Sequence, residues 1–172
     1  MTAGDVLNKP FLSDRQVNNV ADNVSLAAGI MVYQDGANGI KVVPTSSQPQ
    51  ASRIRFLEKA ADNTVTGHVL GLIKAETYKC GARVVPIKGD GAIVVGAYVR
   101  ASTNNAGEVM TMAIPADLTG GESPTEAEHI LVLEFLRRAL GIYQHHLGEG
   151  VQTGSEPTDA ADDDTNLVVG MI

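Results

Sequence analysis

Residues 29–43 read GIMVYQDGANGIKVV. Two runs, Gly29-Ile30-Met31-Val32-Tyr33-Gln34 and Gly39-Ile40-Lys41-Val42-Val43, flank Asp35-Gly36-Ala37-Asn38, a loop of residues that tolerate positive φ. β-branched and aromatic runs joined by such a loop predict a β-hairpin.

Outward from this hairpin the chain keeps the same grammar. Residues 44–52 (PTSSQPQAS) form a loop by composition. Arg53-Ile54-Arg55-Phe56-Leu57 then alternates, with Ile54 and Phe56 on one face and the arginines on the other. Residues 64–75 place Val65, Gly67, Val69, Gly71 and Ile73 on a single face, and the alternate glycines leave room where a sheet curves. Residues 82–87 predict a further strand, and Lys88-Gly89-Asp90-Gly91 a turn. Residues 92–99 (AIVVGAYV) are apolar on both faces, which predicts a central strand or an interface. Asn104-Asn105-Ala106-Gly107 turns the chain into a last strand over 108–114. Turn signals every ~8–15 residues suit a small antiparallel β-barrel or sandwich, here spanning residues 23–115.

Composition agrees with that reading. The 172 residues fit one domain with appendages or two very small ones, and 44% hydrophobic content is enough for a core. Aromatics are 4%, Trp is absent and Gly numbers 18, which favours curved strands over large helical bundles.

Three appendages flank the β region. Residues 1–22 are polar and aperiodic, with Asn8-Lys9-Pro10 as a breaker, and predict an extended N-terminal arm. Ser123-Pro124-Thr125-Glu126 predicts a capping box opening an amphipathic helix within 122–147, its periodicity running over 124–143. Leu131, Val132, Leu133, Phe135, Leu136, Ala139, Leu140, Ile142 and Tyr143 fill a broad apolar arc. Glu126, Glu134, Arg137 and Arg138 take the other face, and Ile130 lies outside the arc. So wide an arc predicts a helix packed deeply or shared with a partner. Residues 148–172 run from Gly-rich and acidic to the apolar Leu167-Val168-Val169-Gly170-Met171-Ile172, expected to return as an edge strand or enter a neighbouring subunit.

Chemistry-bearing patterns are sparse. There is no P-loop, no G-x-S-x-G and no HExxH, and Gly89-Asp90-Gly91 leads into strand-like sequence rather than a helix. His145-His146 at the expected helix end would point about 100° apart, so they do not chelate as i,i+4 histidines do. The macrodipole explains cations there. His68 and His129 lack ligand-like neighbours. Asp162-Asp163-Asp164 lacks the calcium-loop spacing and reads as a solvated linker. Cys80 is the single cysteine, which excludes an intrachain disulfide, and it reads as a small buried hydrophobe. A net charge of -7 argues against a nucleic-acid partner, and the basic pairs Arg53/Arg55 and Arg137/Arg138 read as solvated. No charged leader precedes an apolar run, and no stretch reaches the ~20 apolar residues of a membrane helix. The expectation is a chain without catalytic, cofactor-binding or metal residues.

The stretch from Ala82 to Ile114, ARVVPIKGDGAIVVGAYVRASTNNAGEVMTMAI, resembles the small β-barrel head decoration proteins of tailed viruses. They share a texture of small apolar strands, with a Gly-Ala-Ile-x-x-Gly-x-x-Val strand and a polar turn, after a flexible N-terminal region. The resemblance covers about half of the chain and leaves out the helix and the acidic segment. It implies a virion protein on the capsid exterior, made in the host cytoplasm. Such a protein acts as a homo-oligomer, commonly a trimer, and stabilises the head by clamping the major capsid protein. Its partners would be that protein and its own copies, with no membrane. Two other readings stay open: a tail, connector or host-binding component of a virus particle, and a small-molecule-binding β-barrel.

Overall fold

The computed structural model describes residues 15–64, 73–79, 85–115, 125–146, 159–161 and 167–170. These residues are mainly β with one helix, as the sequence predicts. In chain order the first strands are β1 (Gln16–Asn19), β2 (Ser25–Leu26), β3 (Met31–Gln34), β4 (Ile40–Val42), β5 (Ile54–Leu57) and β6 (Ala61–Asp62). There follow β7 (Lys74–Lys79), β8 (Val85–Ile87), β9 (Tyr98–Ala101) and β10 (Val109–Thr111). The helix α1 (Glu126–Arg138) precedes β11 (Gly141–His146) and β12 (Leu167–Gly170).

The opening hairpin forms as β3 and β4, with Val32 opposite Val42 and Tyr33 opposite Lys41. Its loop takes a 3₁₀ turn over Gly36–Asn38, with Gly36 at φ 54° and Gly39 at φ 95°. Lys41 closes it through a 2.7 Å ion pair to Asp35. Around this hairpin the first sheet builds in the order β1-β7-β5-β3-β4, and a second follows the order β10-β9-β11-β12-β8. β2 and β6 form a separate two-stranded ribbon.

Every strand pair in both five-stranded sheets is antiparallel. With an odd number of alternating strands, the two edges of a sheet must run in the same direction. Each sheet curls until its edges meet in one parallel bridge, Val20 with Ile40 in the first and Gly89 with Val109 in the second. A single bridge is not a ladder, so neither sheet is a closed barrel among the described residues.

Alternation sorts the core into two clusters. Met31, Ile54, Phe56 and Tyr78 leave one face of the first sheet and pack with Ile93, Val99, Ala101, Val109, Leu140 and Tyr143 around the second. Val32, Leu57 and Ala75 leave the other face and pack with Val20, Leu26 and Ile40 inside the curl. β3 and β5 are therefore buried on both sides. The turn at Gly107 ties the sheets together: its carbonyl accepts from Met31 N and its N–H donates to Val43 O, both at 2.9 Å.

Several expectations need correction. Residues 16–19 lie within the predicted arm but form β1 against β7, and Val20 and Ala21 beyond them are buried. Residues 1–14 lie outside the described residues, as do 65–72 of the glycine-alternating run. β7 was not expected. Its inward positions are Ala75 and Thr77, and a polar Thr facing inward hides the period. The apolar run 92–99 is not one strand, because Gly96 at φ 85° turns the chain and β9 begins only at Tyr98. Upstream of that turn, Ile93 bridges Ala160, and Val95 N donates to Asp159 Oδ1 at 2.8 Å. The helix ends at Arg138, and residues 141–146 form β11 instead of its last turns. The C-terminal apolar segment is no edge strand: β12 lies inside its sheet, between β11 and β8. The edge falls to β8, where Pro86 is tolerated because one side of its backbone has no ladder to supply.

Candidate assembly surface

The residue types that open α1 also fix where it begins. S/T-x-x-E occurs twice in overlapping register, at Ser123…Glu126 and at Thr125…Glu128. The structure uses the second. The Thr125 hydroxyl accepts from Glu128 N at 3.3 Å, and the Glu128 carboxylate accepts from Thr125 N. These bonds hold the Glu128 carboxyl below its ordinary range, with the Thr125 backbone as the larger cause. At the other end Glu134 accepts from Arg138 Nε at 3.1 Å and pairs with Arg137 at 3.7 Å. Both arginines sit in the last turn, where the macrodipole favours cations.

The apolar arc is split between two surroundings. Phe135 meets Tyr98 of β9 edge to face, with ring centroids 5.0 Å apart at 74°. Val132 and Ala139, on the same side of the helix axis, are half-buried. On the opposite side Ile130, Leu133 and Leu136 stand in one stripe at i, i+3 and i+6, exposed to 54%, 53% and 63%. Leu131, one turn before Phe135 and outside this stripe, is also exposed. No residue of α1 is buried. Ile130, set outside the arc on the sequence, thus belongs to the outward stripe, and its spacing to Leu133 was the available signal. Of the two settings expected for this helix, deep packing or sharing with a partner, deep packing is absent among the described residues.

No family model matches the chain, and neither a curated protein nor a solved structure matches it.

His145 and His146 are consecutive positions of β11, opposite Val168 and Leu167, so the helix-end account of them does not apply. His129 is exposed on α1. His68, Cys80 and Asp162, Asp163 and Asp164 lie outside the described residues. Among the described residues no group of three His, Cys, Asp or Glu side chains gathers to hold a metal. No helix among them is long and apolar enough to cross a membrane. Asp90 of the Gly89-Asp90-Gly91 turn is a structural knot: its carboxylate accepts from Ser102 Oγ and, at 3.2 Å each, from Asn104 Nδ2 and Asn105 Nδ2. The pair Arg137/Arg138 is engaged by Glu134. Arg55 is not simply solvated, since its Nε donates to Thr77 Oγ1 at 2.8 Å.

Proposed function

We propose that the chain is a non-enzymatic structural subunit that works by assembling with copies of itself and with a larger shell. The observation that carries this reading is the stripe Ile130, Leu133 and Leu136 on a helix with no buried residue. Covering three half-exposed aliphatic side chains would contribute about 1 kcal/mol each before association costs. That is weak for one subunit and substantial when repeated over a symmetric oligomer. A shell whose strength sums over many such contacts needs no catalytic residue.

The resemblance of residues 82–114 is what supports the choice of shell. On that basis the protein decorates the icosahedral head of a tailed virus, binding its major capsid protein on the outside, as a homotrimer. Particles isolated from the source of the chain and labelled with gold-conjugated antibody against it test this directly. Label distributed over the heads is expected. Label confined to tails or to the head–tail junction would move the protein to the connector reading, and label on no particle at all would overturn both.

A further inference from the structure

The exposed stripe Ile130, Leu133 and Leu136 is centred on Leu133, and the two ends of α1 carry opposite charge. The first turn holds Glu126 and Glu128, and the last holds Arg137 and Arg138. Both arginines share the one carboxylate of Glu134, at 3.7 Å from Arg137 and 3.1 Å from Arg138, so the last turn keeps a net positive charge. The Arg137 side chain is 58% exposed, and Glu126 is exposed as well. At about 100° per residue, Glu126 projects about 20° and Arg137 about 40° from the direction of Leu133, both toward the side of Ile130. The outward face of α1 is therefore an apolar centre with an anion toward one end and a cation toward the other.

Such a face complements itself only when turned end for end. Two copies of α1 laid side by side in the same direction would set Glu126 against Glu126 and Arg137 against Arg137, with their dipoles opposed. Turned about a two-fold axis through Leu133, they set Leu133 on Leu133. Glu126 of one copy then lies on the same side as Arg137 of the other, about 4–5 Å away along the helix. Two long side chains span that gap, and the methylene stem of Arg137 covers Ile130 of the opposite copy on the way.

We infer that α1 pairs with α1 of a second copy in antiparallel, two-fold fashion, with Leu133 on the axis and Glu126 of each copy paired to Arg137 of the other. This inference rests on the assembly reading and gives its contact a direction: a two-fold contact joins neighbouring trimers and does not build the trimer itself. Three aliphatic side chains per copy fall well short of the ~800 Å² per partner of a standard interface, so the pairing is weak alone and sums over a shell.

Disulfide trapping in the full chain reads the geometry. Leu133→Cys, Ile130→Cys and Leu136→Cys are each made together with Cys80→Ser, or with Cys80→Ala should the first not fold. The three are oxidised over a concentration series, and linked dimers are measured on non-reducing gels. Leu133→Cys should link at least about tenfold faster than the other two, because the axis brings only that position within the ~7 Å Cα separation that a disulfide spans. Adding Glu126→Arg or Arg137→Glu should slow this linking about threefold or more, and the two reversals together should restore it. Equal rates at the three positions overturn the inference, and so do charge reversals without effect. Light scattering of the native chain separates that failure from failure of the assembly reading. Oligomers that persist without preferential linking at Leu133 are held by another surface, whereas a monomer at every concentration defeats both.

Discussion

Asn63 secures the end of β1 from 43 positions away: its side-chain Nδ2 donates to the Val20 carbonyl at 3.2 Å. The same nitrogen donates to the Ala21 carbonyl at 3.1 Å. Its backbone N–H donates to Val24 O at 2.9 Å, and its carbonyl accepts from Asn23 N at 3.0 Å. One fully buried asparagine therefore ties down the whole bend between β1 and β2.

Replacing that side chain should be costly. Asn63→Ala leaves the carbonyls of two buried residues without this donor, for a loss of about 2–4 kcal/mol. Asn63→Asp keeps the shape but turns acceptor lone pairs toward those carbonyls, so it should lose more than alanine near neutral pH. Urea unfolding followed by circular dichroism gives both values. A midpoint unmoved by Asn63→Ala would show that the bend is held by its backbone bonds alone.

Gly107 and Gly36 separate two reasons for glycine. Both have positive φ, at 79° and 54°. A Cβ at Gly107 would overlap Ile30 Cγ1 and lie 2.9 Å from Val42 Cγ1, whereas one at Gly36 meets nothing within 4 Å. Gly36→Ala should cost about 1 kcal/mol, from backbone strain alone. Gly107→Ala adds overpacking of the contact between the sheets and should cost about 2–4 kcal/mol. Thermal unfolding of the two variants side by side checks the order, and equal losses would refute the packing part.

The hairpin, β5 and the turns at Gly91 and Gly107 were legible because alternation and turn chemistry are local. What escaped was set by distance or by ambiguity of period. Leu140, Ile142 and Tyr143 fit a helical arc and a strand equally well. The choice fell to strand because β9 on one side and β12 on the other offer β11 a ladder. β12 itself could not be placed inside a sheet from sequence, since its partners lie far upstream. The surroundings of Arg55 were hidden for the same reason. Arg53 and Arg55 read as a solvated pair until β7, a strand with no clear period, brought Lys79 opposite Arg55.

Tyr78 should make the fold sensitive to alkali. Its phenol is buried against the inter-sheet core and its hydroxyl lies 3.4 Å from Glu58 Oε2. Burial first, and then the charges of Glu58 and Glu76, push its pKa above the ordinary value. A pKa raised by folding means that the native state favours the neutral phenol. The stabilisation is complete below the unfolded pKa near 10 and is lost as pH rises through the folded value. Tyr78→Phe has no proton to lose, so its stability relative to the native protein should improve from about pH 10 upward. Unfolding free energies of the two proteins that run parallel through this range would show that Tyr78 ionises without penalty.

The two sides of α1 should answer differently to truncation. Phe135 packs its ring on Tyr98, so Phe135→Ala removes an aromatic contact worth about 1 kcal/mol together with the area it shields. Leu136, one position on, is 63% exposed, and Leu136→Asp should leave the unfolding free energy of the dilute chain within about 0.5 kcal/mol. Its effect belongs to association, because a carboxylate in the stripe must be desolvated when another surface covers it. Light scattering over a concentration series should therefore show Leu136→Asp smaller than the native protein, while Phe135→Ala keeps the native mass and melts earlier. If Leu136→Asp is as large as the native protein at every concentration, the stripe does not hold copies together. If it unfolds the dilute chain, the outer side of the helix is packed within the subunit after all.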